Sequence, residues 1–103
     1  MSIKIIYTTI TRDVAIEFSR ELVSRGLAAC VNIVNIDSIY RWKGEIHMDD
    51  EALLIIKVSE KVYPKTYDFI VKNHPYELPE IITISPEDVF EEYEGWIKDS
   101  CQE

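Results

Sequence analysis

The chain predicts an α+β fold of the ferredoxin-like kind. The order is βαββαβ with an extra C-terminal helix, one antiparallel sheet and a long hairpin between its second and third strands. Three observations predict it. Hydrophobic periodicity switches between two and about 3.6 residues in that order along the chain. A turn signal at Lys43-Gly44 splits a strand-like stretch that runs from Leu27 to Ser59. Prolines at positions 64 and 75 bracket a second helix and separate it from the strands on either side.

The elements follow one by one. Ile3–Thr9 alternates Ile3, Ile5 and Tyr7 with Lys4, Ile6 and Thr8, and its β-branched content suits a short strand. Thr11 can cap a helix with Asp13 in its first turn. Val14, Phe18 and Leu22 recur every four residues, joined by Ala15 and Val23. With Gly26 fitting a left-handed cap, this helix is expected from Arg12 to Arg25.

The hairpin follows. At ~3.3 Å per residue its first arm, Leu27–Trp42, would span roughly 50 Å. A globule of about 100 residues is only roughly 35 Å across. The arm therefore overhangs its domain, or bends at a bulge such as Asn32–Asn35. Overhanging edges invite pairing with another chain, so an oligomer with a site at its seams is expected.

Ser59 can cap the second helix, whose regular part starts near Pro64 and whose stripe is Tyr63, Tyr67, Ile70 and Val71. Pro75 disfavours helical geometry at His74 and ends it. His74-Pro75-Tyr76-Glu77-Leu78-Pro79 is then a stiff connector, and Ile81–Ser85 the fourth strand. Asp88 or Ser85 opens a last helix that carries Val89, Phe90, Tyr93, Trp96 and Ile97 on one face, weakened at Gly95.

Composition narrows the function. The 103 residues fit one domain, 1–103, and 47% are apolar, enough for a core. No apolar run is long enough to span a membrane, so no membrane partner is expected. Met1-Ser2-Ile3-Lys4 leads into a strand without a signal-peptide pattern, which points to the cytoplasm. A net charge of −8, with eleven scattered Lys and Arg, repels phosphate backbones, and no nucleic-acid partner is expected. In that compartment Cys30 and Cys101 stay reduced, and their spacing is not that of a redox pair or zinc site. The three glycines, Gly26, Gly44 and Gly95, make no phosphate loop. No nucleophile elbow, zincin helix or nucleophile–base pair is visible, so neither an enzyme nor an organic cofactor is expected.

Several residues could carry chemistry. His74 and Glu77 sit on a proline-stiffened loop and both can ligate divalent metals; alternatively His74 caps the helix and bonds locally. Cys30 could add a thiolate, or serve as a small hydrophobe in its strand. Tyr40 and Trp42, two residues apart, share a strand face as an interface anchor or a binding platform. Lys57, inside the apolar run Leu53–Val58, either binds an anion or carboxylate, or snorkels. The acidic run Asp49-Asp50-Glu51 beside His47 lacks calcium-loop spacing and reads as a solvated turn or bulge.

Certain stretches carry a resemblance: Ile6-Tyr7-Thr8-Thr9, Leu27-Ala28-Ala29-Cys30-Val31-Asn32, Ile39-Tyr40-Arg41-Trp42-Lys43-Gly44-Glu45-Ile46, Leu53-Leu54-Ile55-Ile56-Lys57, His74-Pro75-Tyr76-Glu77-Leu78-Pro79-Glu80-Ile81-Ile82 and Tyr93-Glu94-Gly95-Trp96-Ile97. Across essentially its whole length the chain resembles the CutA family of divalent-cation tolerance proteins. The resemblance implies a homotrimer of ferredoxin-like subunits whose hairpins extend one another's sheets, with an architecture like that of the trimeric PII signalling proteins. It implies a non-enzymatic role in tolerance or homeostasis of copper(II) or another divalent cation. Metal ligands would be Cys30, His74 and Glu77. A cleft between subunits would be lined by Tyr40, Trp42, Lys57 and Tyr76, together with His74 and Glu77. The competing expectations are a PII-like module holding a small anionic metabolite and a structural anchor for a protein partner.

Overall fold

Alternating apolar residues and one tight turn build the sheet, and a computed structural model describes residues 2–101 of it and its helices. The elements are β1 (Ile3–Ile10), α1 (Arg12–Ser24), β2 (Cys30–Trp42), β3 (Glu45–Ser59), α2 (Tyr63–Asn73), β4 (Ile81–Ile84) and α3 (Glu91–Ser100). The strands form one antiparallel sheet in the order β2-β3-β1-β4, which is the expected ferredoxin-like topology.

Period-two alternation decides which face is covered. Ile6, Thr8 and Ile10 of β1 lie on one face with Ala52, Leu54, Ile56 and Val58 of β3, and all are fully buried. Ala15 and Leu22 of α1 and Ile70 of α2 join them in the core. The other face stays partly open, with Val34, Ile82 and Ile84 between 40% and 52% exposed.

Gly26 ends α1 as its sequence position predicts. At φ +71° it occupies the left-handed region. Its N–H donates to the Val23 carbonyl and that of Leu27 to Leu22, the paired bonds of a Schellman cap. Because Leu27 is spent on that cap, β2 begins at Cys30 and not at Leu27. At the hairpin tip Lys43 (φ +52°) and Gly44 (φ +81°) make a two-residue turn with both φ positive, which matches the twist of the flanking strands.

The register excludes the bulge. Pairing runs without a break from Cys30↔Lys57 to Trp42↔Glu45, so Asn32–Asn35 is regular strand and the hairpin does not fold back. β1 supports β3 only over Ala52–Ser59. Ile36–Trp42 and Glu45–Glu51 therefore project as a two-stranded ribbon, roughly 20 Å long at ~3.3 Å per residue. The molecule measures 44 × 26 × 21 Å.

Two helix starts differ in detail. The Ser59 hydroxyl accepts from the Val62 N–H at 3.3 Å, capping the turn that leads into α2. Neither Ser85 nor Asp88 opens the last helix. Pro86 holds Ser85 extended. Helical residues begin only at Glu91, where Glu91, Glu92 and Glu94 complement the helix dipole, so Val89 and Phe90 precede α3.

Candidate functional site

Where β1 ends, a side chain takes over. Arg12, the first residue of α1, donates from Nε to the Glu51 carbonyl at 3.2 Å and from Nη2 to the Ile36 carbonyl at 3.4 Å. Ile36 and Glu51 are cross-strand partners and the first pair beyond the reach of β1. The guanidinium thus ties the root of the ribbon to the helix.

The connector after α2 closes against that root. Prolines 75 and 79 restrict it, and His74 anchors its start. The His74 Nε2 lies 2.9 Å from the Thr9 carbonyl, and its Nδ1 accepts from the Tyr76 N–H at 3.1 Å. The Tyr76 hydroxyl donates to Glu51 Oε2 at 3.1 Å. Burial lowers the His74 pKa, against smaller upward pulls from the Thr9 carbonyl and the Glu51 charge. Burial and the Glu51 charge hold the Tyr76 phenol well above its usual value.

Between connector and ribbon lies a cleft of about 850 Å³. Tyr40, Trp42, Tyr76 and Glu77 all line it, so four of the expected site residues do come together. Tyr40 stacks on its cross-strand partner His47, with ring centres 5.6 Å apart, and donates its hydroxyl to Asp49. The Asp49 contact also raises the Tyr40 pKa. Five acidic residues, Asp49, Asp50, Glu51, Glu77 and Glu80, line the cleft beside one arginine, Arg41, so the cleft carries a negative field.

Three expected residues stand apart from that lining. Lys57 sits six positions along β3 from Glu51, roughly 20 Å away, and donates to Asn32. Cys30 is its half-buried cross-strand partner on the open face. His74 stands behind the connector with both ring nitrogens engaged, so the local-bonding alternative describes it within one chain. Among the described residues no three His, Cys, Asp or Glu side chains gather to hold a metal ion. Cys30, His74 and Glu77 are thus not a ligand set inside a single subunit.

The acidic run needs correction. Asp49-Asp50-Glu51 is regular β3 strand, not a solvated turn or bulge, and Glu51 is only 7% exposed. Sequence reasoning missed it as a site residue. The one signal for it was its position two residues before Leu53, on the same strand face.

The strand order, the two helices behind the sheet and the overlong hairpin place this protein in the ferredoxin-like α+β class. The chain belongs to the CutA1 divalent ion tolerance protein family, whose model matches residues 3–100. It is 39% identical over 97 residues to the divalent-cation tolerance protein CutA of Thermotoga maritima, covering 93% of this chain and 96% of that one. Among solved structures, the PII-like protein CutA from Nostoc sp. PCC 7120 superposes with a TM-score of 0.93 at 34% identity, covering 96% of this chain and 97% of that one. The divalent ion tolerance protein CutA1 from Ehrlichia chaffeensis gives 0.90 at 36%, covering 96% and 94%. No helix among the described residues is long and apolar enough to cross a membrane.

Proposed function

We propose that the protein is a non-enzymatic cytoplasmic homotrimer of divalent-cation tolerance, and that it binds copper(II) or a similar ion near its intersubunit clefts. The observation that carries this reading is the ribbon. Among the described residues Ile36–Trp42 and Glu45–Glu51 have no third strand, and Ile39, Ile46 and Met48 on them are 68–71% exposed. Exposed apolar strand pairs find partners in other chains. A neighbouring copy would also complete a donor set that one chain leaves dispersed. Cys30 would bring a soft donor and Glu77 a hard one. His74 would join only by giving up its bond to Thr9 or Tyr76. Isothermal titration with copper(II), run beside light scattering, tests this. Saturable binding by a trimer, weakened in a Cys30→Ala, Glu77→Gln double variant, supports it. No saturable binding, or a stable monomer at micromolar concentration, overturns it.

A second reading has its own observation. The cleft volume of about 850 Å³ fits a small molecule, not a bare ion, and aromatic side chains wall it. A PII-like ligand-binding module answers to that. Lys57 lies outside the cleft lining, so it would not supply the anion-binding charge that the sequence led one to expect.

A further inference from the structure

We propose that the cleft at the ribbon root receives an aliphatic di- or polyamine, held as its ammonium form between carboxylates and aromatic faces. This rests on the small-ligand reading and names the ligand class.

Charge sets the first condition. Five acidic residues against Arg41 and the nearby Lys43 ammonium leave the cleft acidic, which repels an anion and attracts a cation. Glu51 sharpens the demand. The residue is 7% exposed and lines the cleft, and its carboxylate is met by the Tyr76 hydroxyl alone, with no ion pair to it among the described residues and the Arg12 guanidinium spent on its backbone carbonyl. One phenol leaves most lone pairs of that carboxylate open to a cationic donor.

Hydrogen bonding sets the second. Tyr76 donates to Glu51 and Tyr40 to Asp49, so both phenols present donors to the carboxylates. The pKa values of both phenols are raised, which keeps those protons in place. The carboxylates retain further lone pairs, and the cleft is rich in acceptors and poor in donors. An ammonium group is a donor three times over.

The third condition separates an amine from a metal ion. The ammonium of Lys43 lies 5.7 Å from the centre of the Trp42 ring, so the chain already rests an aliphatic ammonium on a wall of this cleft. A bare metal ion gains from the carboxylates but needs a close-set donor group, and no three such side chains gather among the described residues. A polyamine gains from carboxylates and rings together, and its several charges match several acids along the cleft.

The test uses the full chain with Trp96→Phe, which leaves Trp42 as the sole tryptophan. Spermidine is titrated while Trp42 emission is followed, and calorimetry is run alongside. The expected result is saturable binding that weakens with added salt and falls on the order of tenfold in Trp42→Leu, read by calorimetry, and in Glu77→Gln. Both side chains are at least partly exposed, so these variants fold whether or not Glu51→Gln does. Glu17→Gln, on α1 and outside the cleft, leaves binding unchanged and controls for net charge. Absence of saturable binding at millimolar spermidine, or affinity in Trp42→Leu and Glu77→Gln unchanged from the parent, overturns the assignment. A rise in melting temperature with citrate and none with spermidine removes the amine and leaves the small-ligand reading standing. No response to any organic ligand removes both.

Discussion

His74 and Thr9 are joined by one hydrogen bond that settles the state of the imidazole. A backbone carbonyl only accepts, so Nε2, 2.9 Å from the Thr9 oxygen, carries the proton. The Tyr76 N–H only donates, so Nδ1 is bare. Both bonds require the same neutral tautomer, and burial lowers the pKa of the ring in agreement with them.

Acid should therefore loosen the connector. A lowered folded-state pKa means that the unfolded chain binds the proton first. Stability from this group is fully present above the unfolded value of about 6.5 and is lost as pH falls through the lower folded value. Urea unfolding at pH 7.5 and 5.5, at fixed protein concentration, should show the loss. In His74→Gln the difference between the two pH values should shrink.

The turn is governed by backbone shape. Gly44 has φ +81°, and a Cβ added there would meet nothing within 4 Å, so replacing it raises conformational cost without a clash. Gly44→Ala should cost about 1–2 kcal/mol, the ordinary left-handed penalty. Lys43→Asn should be neutral or slightly stabilising, because Asn tolerates the left-handed region that Lys43 occupies. Chemical denaturation of both variants checks the pair.

The ribbon should govern assembly more than folding. Ile39 and Met48 are cross-strand partners, exposed by 71% and 68%. An Ile39→Lys, Met48→Lys double variant removes apolar surface that the single chain does not bury. Its circular dichroism should match the parent, while light scattering should report a lower mass than the parent's. An unchanged mass would assign the assembly to another surface.

What could be read from the sequence was local. Gly26, the Lys43-Gly44 turn, Ser59 and the stop before Pro75 each act through their own backbone or a near neighbour. The overhang was legible too, because strand length follows from residue count. Pairing was not. Only the register shows that Lys57 pairs with Cys30, away from the ribbon root, and only the folded chain brings Tyr40, Trp42 and Tyr76 together at the cleft. The start of α3 was misplaced because Ser85 and Asp88 are good caps in isolation, and Pro86 and the acidic turn at Glu91 outweigh them. The role of Glu51 depended on contacts with Tyr76 and Arg12, 25 and 39 residues away in sequence.

Thr66 offers a sharper test of how the helices are held to the sheet. Its side chain is fully buried, and its hydroxyl donates to the Leu27 carbonyl at 2.5 Å, with the Val62 carbonyl farther off at 3.4 Å. Leu27 also gives its own N–H to Leu22. Leu27 thus links the end of α1, the first turn of α2 and the approach to β2. Thr66→Val keeps the volume and removes only the donor. It should cost about 1–3 kcal/mol, because the Leu27 carbonyl loses its partner. Thr66→Ser keeps the donor and loses one methyl group, costing about 1 kcal/mol. If packing alone mattered, Val would be the milder change and Ser the worse. Urea unfolding at fixed protein concentration should give the reverse order.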